Sequence, residues 1–315
     1  MLYIHQFPDW TNFRFNEKKV YSRLALISKK LGVLLGSFSL LPKEIKDSFD
    51  FRKRETKALF EIDGNVKENA TLLSAINNYQ NPWSETRLLR LHKTLSVYGG
   101  KYRTDNHSEL YSGVSFERIP AEMERFFYVL EYRNEDFLLN AAVFHFWFLT
   151  IKPFAFGNGI FARLLTDSFL SKFAGELHKH YLVFESFLND KESYFKILNE
   201  TQKGNGDITL WILWFLEKLE QAAEKSVSET KMALKEARYK LKYWNKNISF
   251  REQKLLELFF KEEHLKISSG MWAKAAQISQ DSAARDLENL KQQDILDKTE
   301  SKGRSTAYYL KELLY

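Results

Sequence analysis

The chain has no cysteine, five prolines and thirteen glycines in 315 residues. Without cysteine there is no structural disulfide and no thiolate metal site, and a reducing compartment is compatible. So few prolines and glycines leave few places to break a helix, which favours an all-helical body. No apolar run reaches the ~20 residues of a membrane span. The longest, residues 137–151, is shorter and contains His145. The opening MLYIHQFPDW is polar and aromatic and does not read as a signal peptide. A cytoplasmic protein with no membrane partner is the expectation. Charge of one sign is scarce as well: 47 Lys and Arg against 41 Asp and Glu leave +6, which permits contact with nucleic acid without demanding it. What is present, 44% hydrophobic and 28% charged residues, is the balance of a globular protein. The length suffices for two or three domains with their own cores.

The chain is organised around residues 145–165, HFWFLTIKPFAFGNGIFARLL. Residues 136–151 hold no proline or glycine and read as a buried helix. Lys152-Pro153 ends it, because proline pushes the residue before it out of helical geometry. Gly157-Asn158-Gly159 follows, and residues 160–173 read as a second helix. Glycines at a helix start let backbone N–H groups converge on an anion, and the helix dipole favours negative charge there. Arg163, one turn in, could clamp a phosphate with its planar fork. A plain turn between two core helices is the other reading of the same residues.

Pro153, Phe154, Gly157, Asn158, Gly159 and Arg163 resemble the signature of the Fic (Fido) family, H-P-F-x-[DE]-G-N-G-R-x-x-R. The resemblance implies a mainly α Fic-fold core and transfer of AMP from ATP onto a hydroxyl of a target protein. In the family the histidine is the base, the acid holds magnesium, the Gly-Asn-Gly nest takes phosphates and the arginines steady the triphosphate. Three positions depart: Lys152 stands at the histidine, Phe156 at the acid and Ile160 at the first arginine. A free lysine titrates near ~10.4 and is a poor base, though a good phosphate contact, and phosphates favour its charged form further. Phe156 has no oxygen for Mg²⁺, a hard ion that takes carboxylates and water. The resemblance therefore implies ATP as a ligand, leaves Mg²⁺ without its acid, and gives Lys152, Phe154, Gly157, Asn158, Gly159 and Arg163 as nucleotide or phosphate contacts. Lys152 is the one candidate at the catalytic position.

Helical spacing of Val20, Leu24, Ile27, Leu31 and Leu34 predicts a helix over 17–35 capped by Asn16, with a second over 43–62 stopped by Gly64. HQFPDWTNFRFN followed by a helix and LGVLLG resembles the N-terminal domain before many bacterial Fic cores. There an inhibitory helix ends in S-S-x-I-E-G, whose Glu reaches the second motif arginine. Here the stretch is Leu59-Phe60-Glu61-Ile62-Asp63-Gly64, so Asp63 is the inhibitory candidate, or else simply part of a helix stop. Residues 70–98 read as a helical pair, with His92 structural. The loop after Gly99-Gly100 looks shorter than the family's β-hairpin flap and predicts only a stub near 111–116. Helices are expected over 184–202 and 208–219, joined by Gly204-Asn205-Gly206, with Asp207 as a cap. Tyr194 and Asn205 stand where relatives line the adenine pocket.

Residues 217–246 form a long charged helix, read as a solvated connector or as a surface for nucleic acid or an acidic partner. Helices over 250–260, 271–277 and 280–292, then strands at 295–296 and 308–310, give the layout of a winged helix-turn-helix. The segment resembles the winged domain at the C-terminus of many Fic proteins. Gln280, Asp281, Ser282 and Arg285 would face DNA bases, with Lys302 and Arg304 on phosphates. Eleven Lys/Arg balance eleven Asp/Glu over 247–315, so charge supplies little DNA affinity unless it is segregated or the protein forms a homodimer. Such modules also bind proteins.

The sequence therefore predicts four segments: an N-terminal helical domain over 1–75, a Fic core over 76–225, a linker helix over 226–246 and a winged module over 247–315. The leading functional expectation is a catalytically impaired regulatory protein that binds nucleotide or phosphate, with a protein target or DNA as further partner. The alternatives are an active nucleotidyltransferase of unusual mechanism and a DNA-binding regulator without a ligand.

Overall fold

Helices here start where short polar side chains can take the N–H groups that a helix leaves unpaired. Asn16 accepts from Lys19 N–H, Ser84 from Arg87, Asp136 from Leu138 and Leu139, Ser249 from Glu252, Ser268 from Met271 and Ser279 from Ser282. The computed structural model describes residues 2–39, 41, 43–64, 70–106, 113–133, 136–175, 182–243, 246–262, 265–300 and 306–311. Its helices are α1 (Glu17–Ser39), α2 (Lys43–Ser48), α3 (Phe51–Glu61), α4 (Ala70–Asn77), α5 (Glu85–Lys93), α6 (Ile119–Tyr132), α7 (Phe137–Ile151), α8 (Asn158–Ala174), α9 (Val183–Asn189), α10 (Lys191–Gln202), α11 (Thr209–Tyr243), α12 (Phe250–Lys261), α13 (Ser269–Ala276) and α14 (Gln280–Gln292). The strands are β1 (Leu296–Lys298) and β2 (Tyr308–Leu310).

Contacts divide the chain into two compact units, Met1–Leu40 with Asp47–Ser226, and Leu41–Lys46 with Val227–Tyr315. The first is helical throughout its described residues, apart from one parallel bridge between Arg14 and Asp207 that pins the N-terminal segment to the α10–α11 turn. At its centre lies α7, buried from Leu138 to Ile151 and packed along α8. Phe126, Phe144, Trp147 and Phe148 interlock on one side of α7. On the other, the fully buried His145 shares hydrogen bonds with Thr166 Oγ1 (2.8 Å) and Tyr194 Oη (2.9 Å). Thr166 donates onward to Ala162 O, so Nδ1–H donates to Thr166 and Nε2 accepts from Tyr194. His145 is a satisfied core residue, held neutral by burial and by Arg163.

In the second unit α12, α13 and α14 enclose Leu255, Phe259, Trp272, Leu287 and Leu290, and β1 pairs antiparallel with β2, Asp297 opposite Tyr309. Ile267, just before α13, bridges Tyr308 and extends the sheet by one residue. The order of elements is the one expected for this segment.

Four expectations need correction. The helix over 43–62 is two, because the chain turns at Phe49–Asp50 so that the Phe49 and Phe51 rings stack 4.6 Å apart and both reach Phe38. The helix over 184–202 breaks at Asp190, which leaves helical geometry, and Phe187 and Tyr194 then meet on Trp214. The two helices over 208–246 are one, α11, of 35 residues, since nothing between them can stop it. Its end is no solvated linker: Tyr239 and Tyr243 belong to the second unit's core. Of the stub near 111–116, Tyr111 lies outside the described residues, and Phe116 opens a 3₁₀ turn.

Candidate functional site: the loop between α7 and α8

Proline at 153 stops α7, and Lys152 takes up the left-handed conformation (φ 49°, ψ 65°), uncommon for a side chain with a Cβ. Arg103 fixes this bend from outside. Its Nε donates to Lys152 O at 2.8 Å and its backbone N–H to Pro153 O at 3.0 Å. Asn158 then closes the loop on itself: Phe154 N–H donates to Asn158 Oδ1 (3.0 Å), and Asn158 Nδ2 donates to Phe154 O (2.7 Å). Gly157, at φ 77°, supplies the positive dihedral that aims the chain into α8, and a Cβ there would lie 2.7 Å from Leu95 Cδ1.

His92 of α5 backs the loop. Its ring stacks on Phe154 with centroids 3.7 Å apart. Gly100 N–H donates to Nδ1 (3.0 Å), so the proton sits on Nε2, which donates to Phe156 O (3.2 Å). Burial lowers the His92 pKa to about 4, which keeps this tautomer neutral. The structural role expected for His92 is thus a specific one, and Arg103 is a loop-holding residue that the sequence reading missed. An arginine and a histidine far from the motif carry no local signal; only the fold brings them to it.

Arg163 is fully buried. Its Nε donates to Leu59 O (2.7 Å), and its two terminal nitrogens donate to the two Asp63 oxygens at 3.3 and 2.8 Å. This two-pronged pairing of a planar fork with a carboxylate is the strong form of the interaction. The carboxylate also lies against Gly159, where a Cβ would overlap it. An anion thus already rests on the first turn of α8, and it comes from the end of α3.

Behind the loop the field is positive. Burial lowers the Lys152 pKa, and Arg103 beside it lowers it further. His5 is pushed down to about 4, by burial first and then by Arg118, Arg103 and Lys152. Desolvation and a neighbouring cation both disfavour the charge of Lys152 itself.

Residues 82–170 match the Fic/DOC family model. These residues are a Fic domain. Residues 3–79 match a domain of unknown function (DUF4172). Among solved structures, a Fic family protein from Desulfovibrio desulfuricans G20 shares 18% identity over 94% of this chain and 97% of its own, with TM-score 0.55. A Fic domain containing signaling protein from Bacteroides thetaiotaomicron VPI-5482 shares 21% over 66% of this chain and 98% of its own, with TM-score 0.51. At these identities they show the fold, a mainly α Fic fold. No curated protein matches. That match supports, at the level of the family, a Fic-type function: transfer of AMP or another nucleotide to targets.

In this Fic domain the motif residues do come together, but not all as binding groups. Phe154 is wholly buried against His92 and Phe161, so the ligand contact expected of its side chain is corrected to a core role. Both polar atoms of the Asn158 side chain are spent on closing the loop. Ile160 is buried in the core, and Phe156 is 37% exposed. Tyr194 is also buried, its hydroxyl given to His145 and its pKa raised by burial, so it forms no open adenine wall. Asn205 binds the N-terminal segment, its carbonyl accepting from Arg14. The residues do not fit magnesium. The acid position is Phe156, the carboxylate on the loop is committed to Arg163, and the described residues hold no cluster of three metal-ligating side chains.

On α14, Gln280, Asp281 and Arg285 are exposed, while Ser282 is half-buried and donates its backbone N–H to the N-cap Ser279. Lys302 and Arg304 lie outside the described residues. Among the described residues no helix is long and apolar enough to cross a membrane.

Proposed function

We propose that this Fic protein binds nucleotide or phosphate at the start of α8 under the control of Asp63, and is impaired in the transfer reaction of its family. The observation that carries the reading is the Asp63–Arg163 pair lying on Gly159. A carboxylate seated there has the charge and position of a phosphate, so ligand and Asp63 compete for one arginine and one helix end. Lys152, Phe156 and Ile160 support the second half of the reading: the base, the metal ligand and one arginine are replaced together. Losing a general base alone forfeits roughly 10²–10⁴ in rate.

Calorimetry with ATP, ADP and inorganic phosphate, with and without Mg²⁺, tests the binding. Asp63→Ala should tighten it about tenfold or more, since charge-assisted hydrogen bonds contribute about 1.5–3 kcal/mol each. Magnesium should change little. No binding by either protein would overturn the reading. Mass spectrometry after incubation with ATP and Mg²⁺ should find little or no added AMP, with recovery only when Lys152→His, Phe156→Asp and Ile160→Arg are combined. Robust self-modification by the unaltered protein would refute the impairment.

A second reading, DNA binding, is favoured by the exposed face of α14, where Gln280 and Arg285 stand clear of the core. Filter binding to duplex DNA across a salt series tests it. Arg285→Ala should weaken binding at low salt, and absence of binding at low salt would end it.

A further inference from the structure

A cavity of about 460 Å³ opens between the N-terminal segment, α6 and α7, in a part of the first unit that the motif does not use. That is the size of a small-molecule site. Thr11, Phe13, Arg125, Tyr128, Tyr132 and Trp147 are among its walls. Arg125, Tyr128 and Tyr132 follow one another at helical spacing on one face of α6. The two tyrosine rings lie 4.9 Å apart and each is 65% exposed. Trp147 is buried, with Phe13 against it at 6.0 Å, yet among the described residues its indole N–H has no acceptor, and the buried Thr11 hydroxyl has no partner either. Trp10, Trp83, Trp211 and Trp272 donate theirs, while Trp214, away from this cavity, also lacks an acceptor among the described residues. Native folds rarely leave such a donor unpaired.

Charge complements this. Among the described residues Arg125 makes no ion pair and no carboxylate lines the cavity. A neutral apolar ligand would leave the guanidinium uncompensated. A simple anion such as phosphate would leave the aromatic wall in water. We propose that the cavity binds a small anion built on a flat ring, an aromatic carboxylate or a nucleoside monophosphate. The anionic group meets Arg125, the ring lies against Phe13, Tyr128 and Tyr132, and acceptors on the ligand take up the Trp147 N–H and Thr11 hydroxyl. This does not depend on the function proposed for the α8 turn.

Calorimetry on the full chain tests it with benzoate and AMP, beside adenosine and inorganic phosphate as halves. Benzoate or AMP should bind more tightly than either half, and the arm that binds identifies the source. Arg125→Gln and Tyr128→Ala alter exposed side chains, so folding is preserved. Each should weaken binding about tenfold, the size expected for one charge-assisted contact or one stacked ring, and Arg125→Lys should restore part of it. Three results would overturn the proposal: no binding of benzoate or AMP, adenosine binding as tightly as AMP, or binding unchanged in both variants. Unchanged AMP binding in the variants would assign AMP to the α8 turn.

Discussion

Gly159 shows what one missing side chain permits. The Asp63 carboxylate occupies the space that a Cβ would need, so the ion pair to the buried Arg163 and the glycine are one feature. Gly159→Ala should displace Asp63 and cost roughly 1–3 kcal/mol of stability, as overpacking does. Asp63→Ala should destabilise as well, because it strips a buried arginine of its countercharge. The double substitution should cost clearly less than the sum, since once the carboxylate is gone the new methyl group meets nothing. Urea unfolding of the four proteins gives the cycle, and strict additivity would mean that the two residues do not touch.

At the scale of elements, the question is what holds α3 so that its end can deliver Asp63. The answer lies at α9. Glu55 of α3 accepts the N–H groups of Phe184 (2.8 Å) and Glu185 (3.2 Å), acting as a cap lent from another helix. Beside it, Arg54 donates from two nitrogens to the Glu185 carboxylate, each at 2.8 Å. Burial, with Asp167 and Glu185 nearby, raises the Glu55 pKa to about 8. A folded-state pKa above the unfolded value means that the native state holds the extra proton. Stability from this group is complete below about pH 4.5 and is lost as pH rises to about 8. Unfolding free energy should therefore fall from pH 5 to pH 8 by an amount on the order of 3 kcal/mol, and Glu55→Gln should flatten that slope. An unchanged slope in Glu55→Gln would show that other groups set it.

For the whole molecule, the two units are built on separate cores. The second draws its core from Tyr239 to Leu310. A buried polar hub adds to it: the Asp286 carboxylate accepts from Arg251 Nε (2.6 Å) and from Trp272 Nε1 (2.9 Å). A fragment of residues 227–315 should therefore fold alone, with helical circular dichroism and one cooperative thermal transition. A non-cooperative melt would mean that this core needs the rest of the chain. The fragment must include the end of α11. A cut at 247, where composition suggests a boundary, would remove Tyr239 and Tyr243, because periodic charge along a helix hides two aromatic residues on its inner face.

Periodicity and caps decided most helices before any contact was known. The α7 core helix, the Lys152-Pro153 stop, the Gly-Asn-Gly start of α8 and the Ser279 cap of α14 are local events, governed by backbone sterics and orphaned N–H groups within a few residues. The family motif, with its three replaced positions, is local as well. Helix breaks at Asp50 and Asp190 were not legible, because distant rings set them: Phe38 in one case and Trp214 in the other. The same holds for the site. Sequence could put Asp63 and Arg163 forward as partners, but a contact across one hundred residues is made by packing. Tertiary structure alone brought His92 and Arg103 to the loop, turned Phe154 inward, lowered the Lys152 pKa and left the Trp147 N–H facing no partner. Burial and charge at a point are sums over the whole fold, and no window of sequence contains them.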